Sequence, residues 1–269
     1  MLFRSFRWSR NGETHGTYPV FAVRELFKRL YIMLKFELAN GRQGLHMPHV
    51  EGAPVYAIES FSDLEVTGEG HYTTLSRLKD MSPARYALAY DTLGHGIPRM
   101  GIWFYKSTLP ITKNMMLTLH NLHGVTYEYV NLKYSNYPYE AMGGFAPEVT
   151  MWKTFNRRDA TFLPYWGYPT LSELSSAGRD PAPLNGTIKI SAYAHKERGE
   201  AILIIANLDS VGYTVKLKPH LEELGLSGSR ESFYFTDPIL NGYAYPAVGD
   251  DILLDIYPQR WRAVLLRKR

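Results

Sequence analysis

From Thr187 onward the apolar residues recur at every second position, whereas before it they recur at every third or fourth. No other feature limits the fold as much, because side chains alternate across a strand but return to one face of a helix every 3.6 residues. Ile188, Ile190, Ala192 and Ala194 alternate with Lys189, Ser191, Tyr193 and His195. Residues 201–206 are a continuous apolar run, Val215 and Leu217 alternate again, and Phe233/Phe235, residues 252–256 and Trp261/Ala263/Leu265 supply further strands. Six short strands in residues 187–269 imply an antiparallel β-sandwich.

Upstream the period is helical. Val23, Phe27, Leu30, Leu34 and Leu38 make one apolar stripe on a helix over residues 24–35, with Pro19 before it and Gly41 placed to end it. Residues 44–49 read as a short buried strand ending at Pro48. Residues 50–79 read as a loop carrying Glu51, Glu59, Asp63, Glu65 and Glu69, and loops of that length are uncommon unless functional. Ser82-Pro83 opens a helix over residues 84–93, residues 99–105 form a second strand, and Thr112 caps a helix through His123 that Gly124 stops. Strands alternating with helices point to βα units and a parallel sheet, and two strands alone do not make a stable sheet of that kind. A short helix over residues 149–157 follows. Residues 172–186, rich in Ser, Gly and Pro, are the best linker. The expected division is therefore an α/β region over 1–171, a linker over 172–186 and an all-β domain over 187–269.

Composition removes several function classes. The 30 basic and 26 acidic residues are spread along the chain; the clusters Arg4/Arg7/Arg10 and Arg260/Arg262/Arg267/Lys268/Arg269 are terminal. Without a basic helix interleaved with aromatics, nucleic acid is not an expected partner. No apolar run reaches about 18 residues, so no membrane span is expected. The absence of cysteine rules out disulfides and cysteine-based zinc sites. His46-Met-Pro-His49 is a poor metal pair, since proline breaks the helical i,i+3 geometry and no third ligand is in register. Neither a metal nor a cofactor is expected. Gly-rich phosphate loops, Gly-x-Ser-x-Gly elbows and kinase signatures are absent, which removes nucleotide and serine-hydrolase readings. The 20 tyrosines within a 14% aromatic content suit either a sugar-stacking surface or a tightly packed core.

Several segments, in order, carry a resemblance. They are residues 18–31 (Tyr-Pro-Val-Phe-Ala-Val-Arg-Glu-Leu-Phe-Lys-Arg-Leu-Tyr), Ser60-Phe-Ser-Asp63 with Gly68-Glu69, and Gly96-Ile-Pro98 leading into a strand. Phe162-Leu-Pro-Tyr-Trp166 and Ala206-Asn207-Leu208 complete the set. Together they resemble the C-terminal half of glycoside hydrolases of the family 123 type. The resemblance implies the C-terminal portion of a (β/α)8 TIM barrel followed by an antiparallel β-sandwich. It also implies retaining, substrate-assisted removal of terminal N-acetylhexosamine from glycans, in which the substrate's acetamido oxygen attacks the anomeric carbon. The acid and orienting carboxylate of that family are an adjacent Asp-Glu pair on an earlier strand, and no Asp-Glu dipeptide occurs here. No catalytic residue is therefore assigned, and this chain alone is expected to be inactive.

Sites in such barrels lie at the C-terminal ends of strands. His46, Asp63 and Glu69 fall there as candidates to hydrogen-bond sugar hydroxyls. Trp103 and Tyr105 are candidates to stack on a sugar ring, against a competing role in the core. His120 and His123 are expected to face solvent or the sandwich. Three readings stay open: a glycosidase fragment with exposed apolar surface where earlier strands would meet it, a non-catalytic carbohydrate-binding module, and a split enzyme whose partner is the N-terminal half of the barrel.

Overall fold

A computed structural model of the chain describes residues 6–17, 20–37, 44–49, 56–67, 84, 86, 99–102, 110–128, 146–177, 184, 186–240, 242–248 and 251–269. They form mostly antiparallel sheets with few helices. The basic N-terminal segment is a hairpin, β1 (Phe6–Arg10) paired antiparallel with β2 (Glu13–Thr17). Its turn is Asn11-Gly12, with φ of 53° and 80°, the left-handed pair that a two-residue hairpin needs. Helix α1 (Val20–Ile32) follows and continues into a π-helical turn (Met33–Glu37), so the expected helix extends at both ends. The stripe residues Val23, Phe27, Leu30 and Leu34 are half-buried.

The region expected as a 30-residue loop contains a single helical turn, α2 (Tyr56–Glu59), and strand β3 (Glu65–Thr67). β3 pairs in parallel with β4 (Arg99–Ile102), the strand expected over 99–105. Beyond β4 the chain enters α3 (Pro110–His123) and returns as β5 (Thr126–Glu128), parallel to β4 on its other side. Residues 44–49 make no ladder and contribute one parallel bridge, His49 to Val66, supported by the Val66 N–H donating to the Pro48 carbonyl at 3.0 Å. β4 therefore has a strand on each side, and residues 44–49 lie next to β3 instead. A strand of three residues is too short to show the alternation by which strands are read from sequence, which is why β3 and β5 escape that reading. Apart from Ala84 and Tyr86, both helical, the expected helix over 84–93 lies outside the described residues. Gly124 ends α3 as expected, at φ 71°, and a Cβ there would fall 2.7 Å from the Tyr193 hydroxyl.

Helix α4 (Ala146–Phe155) leads into the all-β part. The order of one sheet is β12 (Tyr243–Ala244), β11 (Phe233–Asp237), β15 (Trp261–Lys268), β9 (Glu200–Asn207), β8 (Ile188–His195) and β6 (Thr161–Leu163). The order of the other is β13 (Ala247–Val248), β14 (Asp251–Ile256), β10 (Tyr213–Pro219) and β7 (Ser172–Ser176). All pairings in both are antiparallel. The two sheets share one core, in which Leu203, Ile205, Phe233, Val264 and Leu266 meet Val215, Leu217, Ile252, Leu254 and Leu174. The outer face of the larger sheet is also covered. Ile202, Ile204, Trp261 and Ala263 pack against Met151 and Phe155 of α4, and α3 lies on β8, β9 and β15. Every residue of β9 is consequently buried.

Two strands of this module come from before Thr187. β6 overlaps the start of the segment Phe162–Trp166, and β7 lies in the stretch expected as linker. Serine spacing in β7 conceals the strand: only Leu174 reaches the apolar core, while Ser172 is buried because its hydroxyl donates to the Lys218 carbonyl at 2.9 Å.

Candidate functional site

The structure joins two of the five residues expected to contact a sugar. The His46 N–H donates to Asp63 Oδ2 at 2.8 Å, and the Asp63 N–H returns a bond to the His46 carbonyl at 2.9 Å. This reciprocal pair ties residues 44–49 to the start of β3. Lys35, from the turn after α1, reaches Asp63 Oδ1 at 2.8 Å. Burial pushes the Asp63 carboxyl up, but the His46 amide and the Lys35 ammonium outweigh it and hold the group below its ordinary value. Each carboxylate oxygen thus has a fold-holding partner and keeps a further lone pair for another donor.

His46 itself is buried, edge-on to Phe27 of α1 at 5.1 Å. Its Nδ1 lies 2.7 Å from the Phe61 carbonyl. A carbonyl only accepts, so Nδ1 is the donor. Chemically the cluster offers an imidazole, a fixed carboxylate and an ammonium, and it lies on the N-terminal side of β3, two residues before Glu65, rather than at the C-terminal end of a strand where the site was expected. Glu69, Trp103 and Tyr105 lie outside the described residues.

A second constellation was not assembled by sequence reasoning. His120 and His123, on successive positions of one face of α3, are both buried, and the Tyr86 hydroxyl hydrogen-bonds His120 Nδ1. His123 stacks on Trp166 at 5.0 Å and 29°, and meets Tyr165 and Tyr86 at 5.5 and 4.8 Å. Neither ring nitrogen of His123 has a hydrogen-bond partner among the described residues. Burial lowers the His123 pKa to about 3; burial, with the charges of His123 and Arg157, lowers that of His120 to about 3. Both rings are neutral in the folded protein at ordinary pH. Arg157 closes the seam, with its guanidinium 4.9 Å from the rings of Trp152 and Tyr193 and donating to the Gly124 carbonyl. The signal available in sequence was the pair of histidines at i, i+3 inside an apolar helix pattern.

Above this seam, Pro164–Tyr168 form a tight turn that presents Trp166 and Tyr168, 41% and 38% exposed. The Gly167 and Tyr168 N–H groups both donate to the Pro164 carbonyl, at 3.0 and 2.9 Å. The other quoted motif, Ala206-Asn207-Leu208, is structural. The Asn207 amide donates to the carbonyls of Val211 and Tyr257 at 2.7 and 3.0 Å, and its oxygen accepts from the Asp209 N–H at 2.9 Å.

No model of a known family matches the chain, and no curated protein matches it. Solved structures with some likeness include glycoside hydrolases. An Anoxybacillus α-amylase is 11% identical with a TM-score of 0.48, over 93% of this chain and 57% of its own. A family 27 β-L-arabinopyranosidase from Geobacillus stearothermophilus is 12% identical with a TM-score of 0.46, over 94% and 63%. A candidate α-N-acetylgalactosaminidase from Bacillus halodurans is 11% identical with a TM-score of 0.44, over 91% and 62%. The chain thus spans 57% to 63% of the length of these proteins. Likeness this distant carries no argument about activity.

Proposed function

We propose that the chain is the C-terminal portion of a glycan-acting hydrolase of the family 123 type. In this reading the parallel strands β3, β4 and β5 belong to the closing βα units of a (β/α)8 barrel. The all-β part is its C-terminal sandwich, which begins at β6 rather than at Thr187. His46 and Asp63 contribute polar contacts to a sugar pocket, with Glu69, Trp103 and Tyr105 as further candidates. The Asp-Glu pair of substrate-assisted hydrolysis is supplied by strands outside this chain.

One observation carries the proposal. Helix α1 and its extension leave large apolar side chains uncovered: Phe27 packs on His46, while Phe21, Leu26, Ile32 and Phe36 are 81%, 49%, 38% and 77% exposed. Leu45 and Met47 beside it are 70% and 49% exposed. Arg24, Glu25, Lys28 and Arg29 keep part of the helix polar, but exposed apolar clusters of this kind mark an interaction face. Earlier barrel strands are the partner that a parallel βα array requires.

The test is an assay with aryl N-acetylgalactosaminides on the chain alone and on the chain co-expressed with the coding sequence upstream of Met1. No turnover alone and turnover with a partner that brings an Asp-Glu pair is the expected result. Turnover by the chain alone would contradict the reading. The closed core of the two-sheet part favours a second reading, a free-standing carbohydrate-binding module, for which glycan binding without any turnover in either form is the signature.

A further inference from the structure

The connection from β6 to β7 passes from the larger sheet to the smaller one, and beneath it the edges of the two sheets leave a cleft of about 150 Å3. Its rim is Tyr165, Tyr168, Pro169 and Lys189, and its floor is apolar, formed by core residues such as Leu174 and Ile190. The rim is held rigidly. The two bonds onto the Pro164 carbonyl fix the turn, the Tyr165 N–H donates to Ser191 Oγ at 3.1 Å, and the His220 N–H donates to the Leu171 carbonyl at 3.0 Å. Tyr165 has the Lys189 ammonium 5.9 Å from its ring centre, which places a cationic donor at the mouth. Ser172, whose proton goes to the Lys218 carbonyl, retains acceptor capacity on the cleft wall.

We propose that this cleft is a sugar-binding subsite that takes one pyranose residue of a glycan, separate from the His46–Asp63 cluster. The choice of ligand rests on the glycan-acting reading above; the choice of place rests on the cleft. A pyranose has apolar C–H faces and polar hydroxyl edges. That combination matches two tyrosine rings set beside an apolar floor, with an ammonium donor and a hydroxyl acceptor at the margin. The volume suits a single ring and excludes an extended chain. Pre-fixed walls lower the ordering cost of binding, so a small contact area still gives measurable affinity. The subsite would hold a terminal or branching residue of the glycan whose scissile bond lies elsewhere.

The experiment is a titration of the full chain with galactose, glucose, N-acetylgalactosamine and N-acetylglucosamine, followed by amide chemical shifts. Tyr168→Ala and Lys189→Ala are compared with Tyr234→Ala, an exposed tyrosine remote from the cleft. At least one sugar is expected to shift residues 165–172 and 188–190. Tyr168→Ala is expected to weaken it about tenfold, as losing one aromatic contact implies, and Lys189→Ala several-fold, with Tyr234→Ala unchanged. Sugar binding that both cleft variants retain in full overturns the subsite and leaves the glycan reading standing. No binding of any of the four sugars overturns the subsite too, while the co-expression assay separately decides the glycan reading.

Discussion

Strand β9 and helix α1 are two apolar segments of one chain with opposite fates. Every residue of β9 is buried, with Leu203 and Ile205 facing the smaller sheet and Ile202 and Ile204 facing α4. Helix α1 has no fully buried residue, although Phe21 and Phe36 are as apolar as anything in the core. Hydrophobicity alone does not decide burial; the second layer does. β9 has its layers within this chain, whereas among the described residues α1 packs on the His46–Phe61 segment and leaves Phe21 and Leu26 exposed. The contrast teaches where the described residues close their own core and where they leave apolar side chains exposed.

The sharpest way to break the contrast is to cut into the closed part. Leu203→Ala removes a fully buried side chain between two sheets, and is expected to lower unfolding free energy by about 2–5 kcal/mol in denaturant melts. Lowering the pH attacks the α3 seam next. The folded-state pKa of both His120 and His123 is depressed to about 3, so the unfolded chain binds more protons below about pH 6.5. Stability is full above that value and falls as pH drops toward 3, by roughly 2–4 kcal/mol between pH 7 and pH 5. Replacing His123 with Phe, which keeps the stack on Trp166, is expected to flatten that profile; an unchanged slope would detach the effect from this pair.

Asn207→Ala comes next, at about 2–3 kcal/mol, because the carbonyls of Val211 and Tyr257 lose the donor supplied by a fully buried side chain. Asp63→Ala, on the half-exposed side of the molecule, is expected to cost about 1–2 kcal/mol through the His46 amide and Lys35. Phe36→Ser closes the series. With its ring 77% exposed it is expected to change stability by less than about 0.5 kcal/mol while reducing binding of an apolar dye. A large loss of stability from Phe36→Ser would show that α1 is already covered.

What was legible in the sequence follows the same division. Strands β8, β9, β10, β11, β14 and β15 announce themselves because each spans five or more residues and alternates, or runs apolar, against a defined core. α1 and α3 announce themselves through their periodicity and through Gly124. β3 and β5 do not, being three residues long with pairing that comes from βα topology rather than from pattern. β7 does not, because Leu174 alone shows an apolar side chain to the core and Ser172 is buried on a backbone carbonyl. The N-terminal hairpin was available in the Asn11-Gly12 turn, yet its strands carry arginines and no clean alternation. For the site, Asp63 and His46 were legible as loop and strand-end polar residues, but their reciprocal backbone bonds were not, since such pairing depends on where two distant segments meet. The burial of His120 and His123 ran against their polarity, and needed the aromatic shell of Tyr86, Tyr165 and Trp166 to be seen.

The central proposal is that earlier barrel strands would cover the exposed apolar face of α1, whereas the two sheets of the all-β part already share a closed core. Hydrogen exchange by mass spectrometry on the chain, alone and with the upstream barrel segment, tests it directly. In the chain alone β8, β9 and β15 should exchange only through global unfolding and α1 within a much shorter time, and α1 should gain protection when the partner segment is present. Protection of α1 in the isolated chain equal to that of β9 would contradict the account.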